Sequence, residues 1–361
     1  MPTLLLILLL LSGSMAVFSV RRQFGKTPWG GHLEKLSASS NYRLGFFRNN
    51  QDSEMVMTLK GSLKILSGHL FEGASRRPRT RLPSTKLAPG SGAGSYLTWF
   101  GHSTFFYEVS GLKILFDPML GKHASPLPFT VTRYPYTLPA TADELPTLDV
   151  VIISHDHYDH LDYGTIKRIH EKTKRFIVPL GVGSHLVYWG VPQEKITELN
   201  WWEQTTVGDV TFIATPSQHF SGRSFRDRKK TLWASWVLAT ETSKLFFGGD
   251  SGYFDGFKEI GEKHGPFDIT LLDSAQYNPL WNSVHMFPEQ SVQAHKDLQG
   301  KVHMPIHWSA FTLSTHEWTA PVERALIESA KTGVAMVTPM IGERFNIQTD
   351  RPQHAWWRGV E

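Results

Sequence analysis

The sequence predicts an α/β fold in which helices flank β-structure. Short aliphatic and aromatic runs alternate with segments of helical periodicity from residue 96 to residue 337. Several of the predicted strands run directly into histidine or aspartate, and edge loops of this kind are where α/β folds place their chemistry. These two observations together predict a catalytic body whose polar residues gather at the ends of its strands.

The composition supports a large folded core and excludes several kinds of site. Of the 361 residues, 40% are hydrophobic and 12% are aromatic, which excludes a disordered chain. The absence of cysteine excludes disulfides, zinc–thiolate sites, cysteine nucleophiles and lipoprotein attachment. The net charge of +4 divides into +9 for residues 1–90 and −5 for the remainder, so the positive charge belongs to the N-terminal part.

The first twenty residues form an apolar segment without a charged side chain. Small residues at Ser14-Met15-Ala16 suit a signal peptidase, whereas a retained segment would be a membrane anchor at the short end of what spans a bilayer. Arg21, Arg22 and Lys26 follow the segment and no cation precedes it, which would keep a retained body in the cytoplasm. We predict membrane association through this segment, and both the cytoplasmic and the periplasmic side stay open.

The chain between this segment and the body is basic. Residues 55–71 predict an amphipathic helix that either contacts anionic headgroups or packs on the domain surface. Tyr42, Phe46 and Phe47 are expected to anchor on the body. The arginines of residues 76–81 stand among prolines and predict a solvated linker rather than a nucleic-acid patch.

A stretch rich in proline, serine and glycine over residues 83–94 marks the start of the body. The predicted organisation is a hydrophobic N-terminal segment over residues 1–20, a basic membrane-proximal segment and linker over residues 21–90, and a catalytic domain over residues 91–361.

Local periodicity and turn residues define the elements of the body. Strands are predicted over residues 96–100, 104–109, 112–116, 150–153, 176–179, 196–199, 210–214, 233–240, 244–247, 269–272, 302–306 and 335–337. Helices are predicted over residues 163–172, 181–189, 288–298 and 321–331. Ser110-Gly111 joins the first hairpin, and Pro288 opens the third helix.

The most informative stretch is Ser154–Asp162, which follows the buried strand predicted over residues 150–153. Residues two apart on an extended chain point the same way, so His155 and His157 can bind one ion. Asp159 and His160 come where a helical period begins and would face a second ion. Imidazole and carboxylate suit zinc, and also iron or manganese. The alternative is a histidine-rich surface loop, which a position directly behind a buried strand disfavours.

Three later strand ends carry residues of the same kind. His219 is expected to be the third ligand of the first ion, and His307 to complete the set of the second. Asp250 lies within Gly248–Gly252, where glycines let the backbone approach an ion closely. This carboxylate is suited to bridge two cations, although a turn aspartate is the alternative.

This order of motifs resembles the metallo-β-lactamase superfamily over roughly residues 95–345. The resemblance implies an αββα sandwich, in which two sheets pack face to face with helices outside and a dinuclear metal site lies at the sheet edge. It further implies that the first metal is held by His155, His157 and His219, the second by Asp159, His160 and His307, and that Asp250 bridges them.

Within the superfamily, the sequence is most similar to the family of N-acylphosphatidylethanolamine-hydrolysing phospholipases D and their bacterial relatives. The segments that carry this similarity are Leu97–Ser103, His155–Asp162, Gly249–Tyr253 and Met304–Trp308. The commonest true β-lactamases use a cysteine ligand that this chain lacks, and flavo-diiron oxidoreductases generally carry glutamate where His157 stands. The chain also has no room for the extra domain or basic arm of RNA-processing nucleases. In the loop from Ala275 to His285, Leu280 replaces an arginine of the phospholipase family, which leaves the headgroup open.

The resemblance implies a zinc-dependent phosphodiesterase that hydrolyses phospholipid headgroups by a phospholipase D-type cleavage, using a hydroxide shared by two zinc ions. One zinc alone brings bound water to a pKa of about 7. Asp159 and Asp250 would align the hydroxide, and His285 would donate to a phosphate oxygen or to the leaving group. Gln276, Tyr277 and His285 would line the substrate pocket. The expected partners are a phospholipid and a membrane surface, without nucleic acid, and the oligomeric state stays open.

Four further residues and two further functions complete these expectations. Asp162 is expected to orient a ligand histidine from behind, and His102, His303 and His316 are expected to be structural or surface residues. One alternative function is a metal-dependent hydrolase of a small soluble lactone, ester or phosphodiester. The other is a non-catalytic membrane protein, which a complete ligand set disfavours.

Overall fold

The computed structural model describes residues 20–51, 76–88, 90, 94–127 and 130–360. The helix predicted over residues 55–71 and all but the last residue of the apolar segment over residues 1–20 lie outside this part. No described helix is long and apolar enough to cross a membrane. The described chain forms a seven-stranded sheet, a six-stranded sheet and a small hairpin of Tyr42–Arg43 (β1) with Phe46–Phe47 (β2).

The seven-stranded sheet contains the first half of the body and one strand from its end. Its strands are Tyr96–Trp99 (β3), Phe105–Val109 (β4), Leu112–Phe116 (β5), Leu148–Ile152 (β6), Thr173–Pro179 (β7), Ile196–Leu199 (β8) and Arg344–Asn346 (β15), in the spatial order β15-β3-β4-β5-β6-β7-β8. The four strands from β5 to β8 are parallel. Ser110 and Gly111 both have positive φ, as a two-residue hairpin between β4 and β5 requires.

The six-stranded sheet contains the second half of the body. Its strands are Gln204–Val207 (β9), Val210–Thr215 (β10), Ser235–Ala239 (β11), Lys244–Phe247 (β12), Ile269–Asp273 (β13) and His303–Ile306 (β14), in the order β14-β13-β12-β11-β10-β9. The strands β12, β13 and β14 are parallel, so their carboxyl ends meet at one edge.

Helices pack around the two sheets. They are Gly31–Ser37 (α1), Tyr163–Ile169 (α2), Gly183–Tyr188 (α3), Gly256–His264 (α4), Pro288–Asp297 (α5) and Ala320–Thr332 (α6). In β6, Val150 and Ile152 join the core between the sheets, while Val151 packs with Ile166 of α2 on the outer face. Strands that are buried on both sides read as continuous aliphatic runs, as this one does. The predicted αββα sandwich is therefore confirmed.

Several local elements differ from the prediction. No strand forms over residues 335–337, where Met336 makes a single bridge to His303. The closing strand is instead β15, whose sequence Arg-Phe-Asn has no apolar run and whose pairing with β3 is a long-range contact. Helix α4 and strand β9 were not predicted, because α4 contains two glycines and is held by the buried Phe257 and Ile260.

The basic segment before the body packs on it. Leu82 and Ser84 make single bridges to Tyr136 and Ile341, and Arg81 donates a hydrogen bond to the carbonyl of Tyr136. The stretch predicted as a solvated linker is thus held against the domain at Arg81.

The predicted aromatic anchor is confirmed at Phe47. Phe47 is fully buried in the main core, its ring lies 4.8 Å from that of Tyr42, and its backbone N–H donates to the carbonyl of Lys229. The hairpin of β1 and β2 is therefore part of the domain.

Candidate metal centre

The predicted ligands meet at the edge where the strands of both sheets end. His155, His157, Asp159 and His160 follow β6, His219 follows β10, Asp250 follows β12, and His307 follows β14 directly. Two groups of four side chains result, and within each group the ligand atoms lie within 4.8 Å of one another.

The first group consists of His155, His157, His219 and Asp250. The Nδ1 atom of His157 lies 2.8 Å from Nε2 of His155 and 3.2 Å from Nε2 of His219. Oδ2 of Asp250 is 3.7 Å from Nε2 of both His155 and His219. Three imidazole nitrogens and one carboxylate oxygen thus lie close together, and this combination of donors suits zinc.

The second group consists of His102, Asp159, His160 and His307. Oδ2 of Asp159 is 3.4 Å from Nε2 of His160 and 3.9 Å from Nε2 of His307. Oδ2 of Asp250 lies 3.1 Å from Nε2 of His160. The same Asp250 oxygen therefore borders both groups, where the sequence placed a bridging carboxylate.

His102 was expected to be a structural or surface residue, but the structure places it in the second group. Its ring is fully buried, and its Nε2 donates to Oδ2 of Asp159 at 2.8 Å. It comes shortly after β3, just as the predicted ligands follow other strands, and this position was the available signal. His303 is buried and His316 is half-buried, and both lie outside the two groups. Nε2 of His316 accepts a hydrogen bond from the backbone N–H of Gln276.

Asp117, rather than Asp162, supports a ligand histidine from behind. Oδ2 of Asp117 accepts from Nδ1 of His160 at 2.6 Å, and Oδ1 accepts from the backbone N–H of Ser154 at 2.6 Å. This contact turns Nε2 of His160 toward the site. The prediction for Asp162 was wrong, because its carboxylate accepts from the first amides of α2, including that of Thr165, and caps that helix.

Hydrogen bonding and burial prepare the other histidines as neutral ligands. Nδ1 of His219 donates to the carbonyl of Val284 at 3.0 Å, which leaves the Nε2 lone pair for a metal. Burial lowers the pKa of His155, His219 and His307 well below the ordinary imidazole value. Near neutral pH these rings are therefore uncharged.

The carboxylates concentrate buried negative charge around His160. Burial opposes a charged imidazole there, yet Asp250, Asp159 and Asp117 raise the pKa of His160 well above its usual range. For Asp250, burial disfavours the anion, but His160 and His307 hold the pKa of the carboxyl well below its usual range. Three carboxylates about one ring favour positive charge at this place.

The donor set fits divalent metal ions. Oδ1 of Asp250 and Nε2 of His307 are buried and make no hydrogen bond within the part of the chain that the structure describes. Oδ1 of Asp250 lies 3.1 Å from Nδ1 of His307 without forming a hydrogen bond. A buried carboxylate oxygen of this kind is costly unless a cation neutralises it. Imidazole nitrogen and carboxylate oxygen without sulfur suit zinc, iron or manganese.

A cleft of about 210 Å³ opens over this site. Its lining is His157, Asp159, Phe220, Asp250, Gln276, Trp281, Val284, His285, His307 and Leu313. One wall is thus made of the candidate metal ligands, and the other is largely apolar. Among these described lining residues there is no lysine or arginine.

His285 lies in the cleft, as predicted, and is backed by a buried acid. Its Nδ1 lies 2.8 Å from Oδ2 of Asp273, and its ring stacks on that of His307 at 5.2 Å. Burial raises the pKa of Asp273 to about 7. Burial opposes charge on His285 as well, but Asp273 raises the pKa of this imidazole above its ordinary value.

Gln276 lines the cleft, but its side chain is occupied with the protein. Nε2 donates to the carbonyls of His307 and Phe311 at 3.3 and 3.1 Å, and Oε1 accepts from the N–H of Leu313 at 2.9 Å. Gln276 therefore holds the loop that follows His307 in place.

Tyr277 is not brought to the cleft. Its ring stacks on His316 at 4.4 Å and packs against Phe287, with the guanidinium of Arg324 4.8 Å from its centroid. Gln276 has a φ of +54°, and this reversal of the backbone sends the next side chain away from the site.

Comparisons with known proteins agree with this geometry. The sequence model described as Beta-lactamase superfamily domain matches residues 113–308. The fold is also similar to a possible metal-dependent hydrolase from Veillonella parvula (14% identity, TM-score 0.56, covering 71% of this chain and 100% of that chain). A second similar structure is isothiocyanate hydrolase from Delia radicum gut bacteria (20% identity, TM-score 0.54, covering 69% and 98%). The chain belongs to the metallo-β-lactamase superfamily and is a metal-dependent hydrolase.

Two relatives indicate where this chain belongs within the superfamily. An uncharacterized protein of Mycobacterium tuberculosis is 38% identical over 327 residues, covering 89% of this chain and 88% of its own. N-acyl-phosphatidylethanolamine-hydrolyzing phospholipase D 1 of Caenorhabditis elegans is 34% identical over 240 residues, covering 63% of this chain and 67% of its own. The chain is therefore a relative of the N-acylphosphatidylethanolamine-hydrolysing phospholipases D.

Proposed function

We propose that this protein is a zinc-dependent phosphodiesterase that removes the headgroup of N-acylphosphatidylethanolamine-like phospholipids. The observation that carries the proposal is the position of Asp250, which borders two ligand groups beside a largely apolar cleft. The name of the Caenorhabditis elegans relative supports this substrate class, and so does that of a Saccharomyces cerevisiae relative, which is 34% identical over 248 residues.

The first group would hold one ion, and Asp159, His160 and His307 of the second group would hold the other, with Asp250 shared between them. Two bound zinc ions would supply an acidified water and neutralise the phosphodiester charge. The metal ions would neutralise most of the phosphodiester charge, because the described cleft lining offers no lysine or arginine. Leu280, at the position where the phospholipase family has arginine, does not line the cleft either.

Asp159, Asp250 and His285 would guide the reacting groups. The side chain of Asp159 retains 13% exposure toward the cleft, so Oδ2 can accept a hydrogen bond from the attacking water and orient it. Because Nδ1 of His285 contacts Asp273, its other nitrogen, Nε2, is available to donate to a phosphate oxygen or to the departing headgroup oxygen.

The apolar wall would receive the lipid. Phe220, Trp281, Val284 and Leu313 offer surface for the glycerol backbone and the first part of the acyl chains. Excluding water from this wall strengthens the electrostatic interactions on the opposite wall. Association of the chain with a membrane through residues 1–20 is part of the proposal, because the substrate is a membrane lipid.

The test uses the full chain loaded with two equivalents of zinc and N-acylphosphatidylethanolamine in detergent micelles. We expect phosphatidic acid to be released, and we expect release to stop when a chelator removes the metal. A parallel panel of lactones, carboxylic esters and water-soluble phosphodiesters tests the other hydrolase function. Turnover of a soluble lactone or ester without any release of phosphatidic acid would refute the lipid substrate.

A further inference from the structure

A basic loop, Ser221–Lys230, presents a phenylalanine to solvent beside the cleft. Phe225 is fully exposed at its tip. The backbone N–H of Lys229 donates to the carbonyl of Ser221 and closes the loop at 2.9 Å. Oδ1 of Asp227 accepts from the backbone N–H groups of Arg223 and Ser224 at 3.0 and 2.7 Å. The loop is therefore an ordered turn that holds its aromatic residue outward.

The loop is anchored on the metal-binding segment by Arg223. This guanidinium is buried, and its Nη1 donates to the carbonyls of Asp156 and Leu161 at 2.7 and 2.8 Å. Its Nε donates to the carbonyl of Gln23 at 2.9 Å, so the start of the described chain is tied to the same point. The apolar segment over residues 1–20 thus joins the described chain next to this loop.

The outer face of the loop is strongly cationic. Its acid, Asp227, is turned inward and is 7% exposed. Burial lowers the pKa of Lys229, and the neighbouring charges of Arg228 and Arg48 lower it further, because these cations are crowded together. The loop carries four cations beyond its buried anchor, namely Arg226, Arg228, Lys229 and Lys230.

A second apolar tip lies beside the loop. Leu44, at the turn of the hairpin of β1 and β2, is 87% exposed, and Phe46 is also exposed. Nζ of Lys230 donates to the carbonyl of Gly45 at 2.9 Å and lies 3.9 Å from the centroid of the Phe46 ring. We name Leu44, Phe46 and the basic loop together the basic face.

The basic face adjoins the His219 side of the cleft. Phe220, immediately before the loop, lines the cleft, and the guanidinium of Arg228 lies 4.5 Å from its ring. Asn49, shortly after the hairpin, donates from Nδ2 to the carbonyl of His219 at 2.9 Å. A flat partner that covers the basic face would therefore also lie against one margin of the cleft.

We propose that the basic face docks the protein on an anionic lipid bilayer, with Phe225 and Leu44 inserted among the headgroups and the four cations against lipid phosphates. This proposal rests on the lipid substrate of the proposed function, because docking here brings that substrate to the cleft. Apolar tips among lysine and arginine suit the boundary between headgroups and acyl chains. A single-stranded nucleic acid would need aromatic rings along a groove, whereas here the exposed apolar residues stand at tips.

A site-specific label tests the insertion. Because the chain has no cysteine, Phe225→Cys gives a single attachment point for an environment-sensitive fluorophore on the full chain. On vesicles of phosphatidylcholine with phosphatidylglycerol, we expect its emission to shift to the blue and to be quenched by lipid-borne nitroxides. The matched control is Ile327→Cys, at another exposed aliphatic residue on α6, and we expect no change there. A label at residue 225 that stays in water while the protein is bound to vesicles would overturn the proposal.

Binding of the unlabelled protein provides the second test. We expect Phe225→Ser to weaken binding to the same vesicles about tenfold, and Arg226→Glu to weaken it by at least about fivefold because a cation near the surface is lost. Ile327→Ser should bind as the wild-type chain does. Equal vesicle binding by the wild-type chain and the three variants, together with a water-exposed label, would contradict the proposal. Preferential binding of the labelled protein to single-stranded nucleic acid would contradict it as well.

Docking and catalysis can fail separately. The label reports insertion without any turnover, and the micelle assay reports turnover without a bilayer. Insertion without release of phosphatidic acid from micelles would refute the proposed function and leave docking in place. Release from micelles without insertion would refute docking alone.

Discussion

The two walls of the cleft are built differently. On the metal-facing wall, the lining residues follow the ends of three strands, β6, β12 and β14. Behind this wall, Asp117 fixes the ring of His160, and the backbone carbonyl of Val284 fixes that of His219. The apolar wall comes from loops, with Phe220, Trp281 and Leu313 on separate segments. Residues on strand ends cannot move without disturbing the sandwich, whereas loop residues can change with little cost to the core. The residues expected to carry the reaction are therefore fixed by the fold, whereas the residues expected to select the substrate can change without disturbing it.

We expect the largest loss of activity when Asp250, which borders both ligand groups on the metal-facing wall, is changed. Asp250→Asn removes the charge that borders both ligand groups, so we expect kcat to fall roughly 10³-fold or more and the bound metal to decrease. Metal analysis and phosphodiester turnover measure both effects. The matched control is Asp268→Asn, because Asp268 accepts from the N–H of Lys244 at the opposite end of β12. Full activity of Asp250→Asn would show that the reaction does not depend on the metal-facing wall.

A smaller loss of activity should follow a change in His285, which lines the cleft outside the two groups of four side chains. His285→Gln removes the ring backed by Asp273, and we expect kcat to fall roughly 10²-fold with the metal content preserved. His170→Gln, at the end of α2, is the control. If metal is lost along with activity, His285 belongs to the metal-binding set and not to proton transfer.

The support behind the metal-facing wall can be tested without touching the cleft. Asp117→Asn weakens the contact with Nδ1 of His160, and we expect metal affinity to fall roughly 10- to 100-fold while excess metal restores turnover. Asp162→Ala should instead leave metal affinity unchanged and lower the free energy of unfolding by about 1 kcal/mol, because it removes a helix cap. Metal titration and thermal unfolding distinguish them. Weaker metal binding in Asp162→Ala would show that Asp162 supports a metal ligand after all.

The apolar wall should give the smallest effect. Leu313→Ala removes part of the surface offered to the lipid, and we expect KM for the lipid to rise about fivefold with a lesser change in kcat. The backbone N–H of Leu313 still donates to Gln276, so the loop keeps its position. Ile327→Ala is the control for loss of an aliphatic side chain away from the cleft. An unchanged KM in micelles would place the lipid outside this wall.

The ligand positions could be predicted because their signals are local. His155 and His157 stand two residues apart behind a strand, and His219, Asp250 and His307 each follow a strand that its aliphatic run reveals. The structure brings all of them together.

The supporting residues could not be predicted, because their partners are set by pairing between distant segments. Asp117 reaches His160 through the parallel register of β5 with β6, in which Phe116 pairs with Ile152. No local pattern specifies that register. Asp162 was misassigned because its position shortly after the histidines suggested that it contacts one of them. Its carboxylate instead caps α2.

The role of the tryptophans near residue 356 could not be predicted either. Trp356 and Trp357 received no role from the sequence, yet the ring of Trp356 stacks on Trp308 at 5.4 Å and Trp357 meets it edge-on at 5.5 Å. Trp308 directly follows His307, so the end of the chain packs behind a predicted ligand. Only the long-range fold brings these residues together.

The central claim is that water, activated at the metal-facing wall, attacks the phosphorus of a phospholipid held by the other wall. Hydrolysis of N-acylphosphatidylethanolamine by the zinc-loaded chain in ¹⁸O-labelled water, followed by mass spectrometry of both products, tests it most directly. We predict a single ¹⁸O atom in phosphatidic acid and none in the released N-acylethanolamine. Label in the N-acylethanolamine, or no phosphatidic acid from fully loaded protein, would contradict the claim.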